Sequence, residues 1–162
     1  MGGLRACGRI VIAMSIKTVA TNKKAYHNYH ISEAIEAGIS LKGSEIKSIR
    51  NGRVSLGDAY VRPENGELWL HNAHIARYEA GSYINHDPVR PRKLLLHRKE
   101  IANLTSKVAE KGMTLVATKV YIKGHVAKVE VALARGKKQY DKRETIIRRE
   151  TERELARAVK SR

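Results

Sequence analysis

Through the middle of the chain, short runs alternate apolar and polar side chains, and turn-forming residues separate them. Alternation puts successive side chains on opposite faces of an extended backbone, so each run predicts a half-buried strand. The first is carried by Tyr26, Tyr29 and Ile31 in AYHNYHI. Ser32 is suited to cap a short helix over residues 33–37, which Gly38 would end. A long strand is expected over 39–50, where the apolar parity changes from Ile39 and Leu41 to Ile46 across Gly43, the mark of a bulge or bend. Asn51-Gly52 predicts a hairpin turn with 53–61 as the returning strand. A second turn at Pro63–Gly66 leads into a strand over 67–75, with Leu68 and Leu70 on one face.

Periodicity is lost from Ala76 to Arg92, which predicts a long loop ending in Arg90, Arg92 and Lys93. Helical spacing returns in Ile101, Leu104 and Val108, giving a helix over roughly His97 to Lys111 that Gly112 stops. Two further strands, 114–122 and 126–134, are joined at Lys123-Gly124-His125. In the second, Val129, Val131 and Leu133 alternate with Lys128 and Glu130, so one of its faces is expected to be wet.

At Arg135-Gly136 the alternation ends, and residues 135–162 hold 11 Lys/Arg against 5 Asp/Glu with few bulky apolar groups. Such a segment buries too little surface to order itself alone, so a solvated or partner-ordered arm is expected. Asp141 is placed as a helix cap with Glu144 three residues on, and Glu144, Arg148 and Glu152 stand in a ladder of i,i+4 pairs. Helix formation against a polyanion follows from that spacing.

Charge extends this picture to the whole chain: 162 residues carry a formal net charge of +16. Such an excess concentrates polyanions, and nucleic acid is the favoured partner. No stretch is apolar over the length a membrane helix needs. Cys7 alone builds neither a disulfide nor a cysteine-based zinc site, which fits a reducing, cytoplasmic setting. The apolar run Ile10 to Met14 is too short for a secretory signal, so residues 1–20 are expected to be a disordered lead, and Met14 offers a second start. His27 with His30, and His71 with His74, would sit on opposite faces of strands, so no metal or other cofactor is expected. A nuclease built on His86 and Asp87 would lack a second carboxylate, and no catalytic site is expected.

Five or six short strands, a bent long strand and a helix before the last hairpin predict a mainly β fold: a closed antiparallel barrel of the OB kind over 21–134, with two or three short helices. The blocks EAGISLKGSEIKSIRNGRVSLGDAYV, NHDPVRPRKLLLH and GKKQYDKR resemble the small protein B family, the SsrA-binding proteins of bacteria, and the resemblance spans about residues 22–162. It implies a non-enzymatic partner of transfer-messenger RNA (tmRNA) in trans-translation. In that family an OB-type barrel holds the tRNA-like domain in place of an anticodon arm. Its tail becomes helical in the empty message channel near the decoding centre. The implied partners are transfer-messenger RNA, the ribosome and, through the charged RNA, elongation factor Tu. A monomer is expected.

Carried onto this chain, the resemblance places Glu36, Leu95 and His97 at family positions tied to the RNA surface, and His27 joins the RNA-facing set. Lys47, Arg50, Arg53, Arg92 and Lys93 are expected to meet phosphates, which give affinity and position rather than base sequence. Gly136, Lys137, Lys138, Asp141, Lys142 and Arg143 match the motif that opens the tail, and Arg148, Arg149 and Arg153 continue its basic face toward the ribosome. Tyr140 departs from the histidine of many members, keeping a ring that stacks but losing a protonatable group. A ribosomal or ribosome-assembly protein built on the same basic fold is the competing reading.

Overall fold

The computed structural model describes residues 16–79, 85–110 and 112–160. Thirteen elements follow one another: β1 (Ile16–Thr21), α1 (Lys23–Asn28), β2 (Tyr29–Ile39), α2 (Gly43–Arg50), β3 (Val54–Ser55), β4 (Tyr60–Glu64), β5 (Glu67–His71), β6 (His74–Ile75), β7 (Arg92–Leu95), α3 (Arg98–Ala109), β8 (Met113–Lys123), β9 (Val126–Gly136) and α4 (Gln139–Lys160). One antiparallel sheet runs in the order β1-β8-β4-β5-β7-β2-β9, and β9 also pairs with β8. The run of pairings that leaves β8 through β4 therefore returns to β8 through β9. β3 and β6 form a separate two-stranded ribbon.

The interior is filled by Ala, Val, Ile and Leu, among them Leu68, Leu70, Leu94, Leu104, Leu115, Val129 and Val131. In β5, and in β9 as far as Val131, the buried residues are those at every second position, as the alternation requires, whereas Val131, Ala132, Leu133 and Ala134 are buried one after another, so this end of β9 is covered on both faces rather than wet on one. The expected turn at Asn65-Gly66 and the helix over Ile101 to Val108 are both present. Asn65 and Gly66 have φ of 51° and 74°, the left-handed pair that a tight hairpin needs.

Four expectations are corrected. First, residues 16–20, placed in the lead, form with Thr21 a strand paired with β8, while residues 1–15, with Cys7 and Met14, lie outside the described residues.

Second, of the first expected strand, 25–31, residues 25–28 are helical in α1, while 29–31 are extended as expected and open β2. Asn22 caps α1, accepting from the Ala25 amide at 3.0 Å, and its own amide donates to the Leu56 and Ala117 carbonyls at 2.7 and 3.0 Å. Third, the expected helix over 33–37 is the centre of β2. Glu and Ala favour helix weakly, but this strand is paired with β9 along most of its length and with β7 at its end.

Fourth, the second half of the expected strand 39–50 is α2. Its parity change was helical spacing: Glu45, Ser48 and Ile49 form one buried face. Asn51-Gly52 accordingly ends a helix, with the Gly52 amide donating to the Ile49 carbonyl at 2.9 Å and φ of 76°.

Glu45 lies at the centre of the contact between α2 and the 86–92 segment. It accepts from the Lys42 amide at 2.7 Å, from Arg90 at 2.6 and 2.8 Å and from Arg92 at 2.9 Å. Burial pushes the Glu45 carboxyl up, but the Arg90 hydrogen bond, the Lys42 amide and Arg92 outweigh it and hold the group below its ordinary value.

Candidate nucleic-acid interface

β2 and β7 meet at Gly38 and Leu95, which are register partners. A Cβ on Gly38 would lie 3.1 Å from that of Leu95, so glycine is what lets this side chain sit against the strand. Leu95 is 54% exposed, whereas its neighbour Leu94 is 1% exposed. An apolar side chain is thus presented to solvent on a rigid strand. Beside it, Glu36 of β2, Lys93 of β7, His97 and Arg98 at the start of α3, and Lys128 of β9 line one open cleft. Its volume, about 1460 Å3, exceeds the roughly 300–1,000 Å3 of small-molecule pockets and suits a macromolecular ligand.

The cleft wall is electrostatically organised. Lys128 and Tyr121 both donate to the Glu36 carboxylate, and Lys123 lies 3.6 Å from it. The Lys128 hydrogen bond, followed by that of Tyr121, lowers the Glu36 pKa to about 2. Partial burial and then the Glu36 hydrogen bond push the Tyr121 hydroxyl well above its ordinary value. Glu36 therefore stays ionised and fixes two cations and a phenol. His97 caps α3, its amide donating to Glu100 at 2.9 Å while the residue stays exposed. Lys93 is paired with Glu67.

Of the nine barrel residues singled out by sequence, this cleft gathers Glu36, Lys93, Leu95 and His97. Three others form a second group at the end of α2. Lys47 lies 5.3 Å above the Tyr78 ring, Arg50 donates to the His125 carbonyl at 3.3 Å, and Arg53 is bridged to Glu79 at 2.5 Å. His27 stands apart on α1, with Nδ1 3.0 Å from Asn28 Oδ1.

Arg92 is a correction. Expected among the phosphate-contacting cations, it is fully buried, bound to Glu45 at 2.9 Å and donating to the carbonyls of Ala73 at 2.7 Å and Pro88 at 3.0 Å. Burial lowers its pKa, but Glu45 opposes that shift. It is a core cation that holds the loop. His86 is also structural, 2% exposed and placed between Ser44 Oγ at 2.9 Å and the Ile75 carbonyl at 3.1 Å. Residues 80–84 of the same expected loop lie outside the described residues.

Sequence reasoning missed Tyr121, Lys123, Lys128 and Arg98. The first three were detectable as the polar positions of the last two strands, but their convergence on Glu36 depends on the Tyr121–Lys128 register and on β2 lying beside β9.

The tail begins later than the composition break suggests. β9 continues through Arg135 and Gly136, paired with His30 and Tyr29; the Lys137 amide then donates to the Asn28 carbonyl at 2.9 Å, and its Nζ to that of Tyr26 at 3.1 Å. Lys138 precedes α4, and Tyr140, Asp141 and Lys142 lie in that helix's first turn. Asp141 is consequently inside the helix rather than its cap. Arg143, Arg148, Arg149 and Arg153 are exposed, and the expected Arg148–Glu152 pair is formed at 3.2 Å. No described helix is long and apolar enough to cross a membrane.

An antiparallel β fold with an open cleft of mixed charge and a long basic helix on one strongly positive chain is that of a nucleic-acid-binding protein. A family model described as SmpB protein matches residues 19–161. The SsrA-binding protein of Dehalococcoides mccartyi is 61% identical over 145 residues, 90% of this chain and 84% of that one. That of Carboxydothermus hydrogenoformans is 58% identical over 146 residues, 90% of this chain and 98% of its own. A solved chain from a study of tmRNA–SmpB in the bacterial ribosome matches with a TM-score of 0.64 and 49% identity, covering 78% of this chain and 93% of that one. The chain belongs to the SmpB family.

Proposed function

We propose that this protein binds transfer-messenger RNA and delivers it to stalled ribosomes for trans-translation, without catalysing a reaction itself. The observation that carries this reading is the cleft, where Glu36, Lys93, Leu95 and His97 come together from three elements. The returning run of strand pairings supports a closed barrel of the OB kind beneath it. The barrel takes the tRNA-like part of the RNA where an anticodon arm would stand, and α4 enters the empty message channel near the decoding centre. Lys47, Arg50 and Arg53 supply a second cationic surface for phosphates. The protein acts as a cytoplasmic monomer and meets elongation factor Tu only through the charged RNA.

Leu95→Glu tests the cleft. It adds a charge that repels phosphate at an exposed site, so affinity for transfer-messenger RNA should fall about tenfold or more while thermal stability stays within a few degrees of wild type. Undiminished binding would remove the cleft from the interface. Wild-type affinity should also fall steeply with salt, as counterion release requires. A nearly flat dependence between 50 and 200 mM salt, roughly the range over which such contacts weaken, would contradict phosphate-dominated binding.

A further inference from the structure

The chain has seven Tyr, one Trp and no Phe, and among the described residues every buried apolar side chain is aliphatic. Tyr26, Tyr29, Tyr60, Trp69, Tyr78 and Tyr121 are all exposed or half-buried. Large rings ordinarily dominate a core because they bury the most surface. Among the described residues none does, and two of them share one outer face of the sheet.

On β5, Trp69 and His71 alternate with the buried Leu68 and Leu70, so both project away from the core. Across the strand pair, Tyr60 is the register partner of His71, and their rings stack with centroids 5.3 Å apart at 12°. Trp69 lies between Arg62 of β4 and Lys93 of β7 in the same registers. Arg62 is exposed on β4. Glu64 Oε1 lies 3.1 Å from His71 Nε2. The face is continuous with the cleft, because Lys93 and the Asn65–Glu67 turn line both.

We propose that this face, built from Tyr60, Trp69 and His71 with Arg62 and Lys93 beside them, is a stacking platform for unpaired nucleotides of the RNA held in the adjoining cleft. Flat rings on a rigid sheet stack on any nucleobase, and flanking cations hold the backbone that connects the bases. The platform extends the interface around the β4–β5 hairpin and favours RNAs with unpaired bases next to the recognised fold. It rests on the RNA-binding reading given above.

Trp69 is the only tryptophan, so its emission reports directly on stacking. The full-length protein is titrated with transfer-messenger RNA and, separately, with an oligouridylate of about ten nucleotides, within the site sizes of stacking proteins. Saturable quenching is expected with both. Trp69→Ala should weaken affinity for transfer-messenger RNA on the order of tenfold, and Trp69→Phe should restore most of it. Leu95→Glu should leave quenching by oligouridylate intact. Binding of transfer-messenger RNA with unchanged Trp69 emission and undiminished affinity of Trp69→Ala would overturn the platform and leave the cleft standing. Quenching by oligouridylate without binding of transfer-messenger RNA would keep the platform and overturn the functional reading. If Trp69→Ala does not fold, the wild-type emission alone decides.

Discussion

Glu45→Ala is expected to lower the unfolding free energy by about 3–5 kcal/mol, because it leaves a buried guanidinium without its counter-charge. The Glu45 and Arg92 side chains have no exposure, and Arg90 is only partly exposed. Glu45 neutralises both arginines and satisfies the Lys42 amide, so one substitution removes the acceptor of four donors, from three residues, at the contact of α2 with the 86–92 segment. Chemical denaturation at neutral pH measures the loss, and a change below about 1 kcal/mol would show that the triad is not what anchors that segment. The pH dependence has a defined sign. The Glu45 pKa is lower in the folded protein than in the unfolded chain, so the unfolded state takes up the proton first as acid is added. The Glu45 contribution is complete above the unfolded value near 4.3 and is lost as pH falls through the folded value. Wild type should therefore lose stability on acidification below about pH 4 more steeply than Glu45→Ala.

The second large effect concerns α4. A chain stopped after Lys138 should keep affinity for transfer-messenger RNA within a few-fold of wild type, but tagging of stalled nascent chains should fall at least about a hundredfold, the scale lost when a linked second site is removed. The truncation point matters. Stopping after Ala134, at the composition break, would also strip the β9 pairings to Tyr29 and His30 and the Lys137 contacts with α1, mixing a folding defect with the loss of the helix. Loss of RNA affinity after Lys138 would make the helix a principal RNA contact and remove the division between the two parts.

Where alternation coincided with strand pairing, the fold was legible: the first half of β9 and the Asn65-Gly66 hairpin follow directly from residue order. It was misread where local preference and tertiary pairing disagreed. In ISEAIEA the alternation of Ile31, Ile35 and Ala37 marked a strand, but Glu and Ala pointed to helix, and pairing with β9 decided. In GSEIKSIR the opposite happened: a change of strand parity was the i, i+3, i+4 spacing of α2. β7 offered only four residues, too few for periodicity to emerge from the preceding loop. For the interface, Leu95 and Glu36 came from resemblance to a family, and nothing in their local sequence distinguishes a presented leucine from a core one. Exposure of Leu95 beside buried Leu94 emerges only when β7 is set against Gly38. Arg92 failed for the complementary reason: a basic cluster looks like surface until the strand alternation turns one member inward to Glu45.

The central claim, one RNA site on the β domain and a separate ribosomal site on α4, is tested most directly by photocrosslinking from two positions of the full-length protein. A photoreactive amino acid at position 95 should crosslink to the tRNA-like part of transfer-messenger RNA with or without ribosomes. The same group at position 149 should crosslink to small-subunit ribosomal RNA only when stalled ribosomes are present. Crosslinks from position 95 to ribosomal RNA alone, or from position 149 to the tRNA-like part in the absence of ribosomes, would contradict the account.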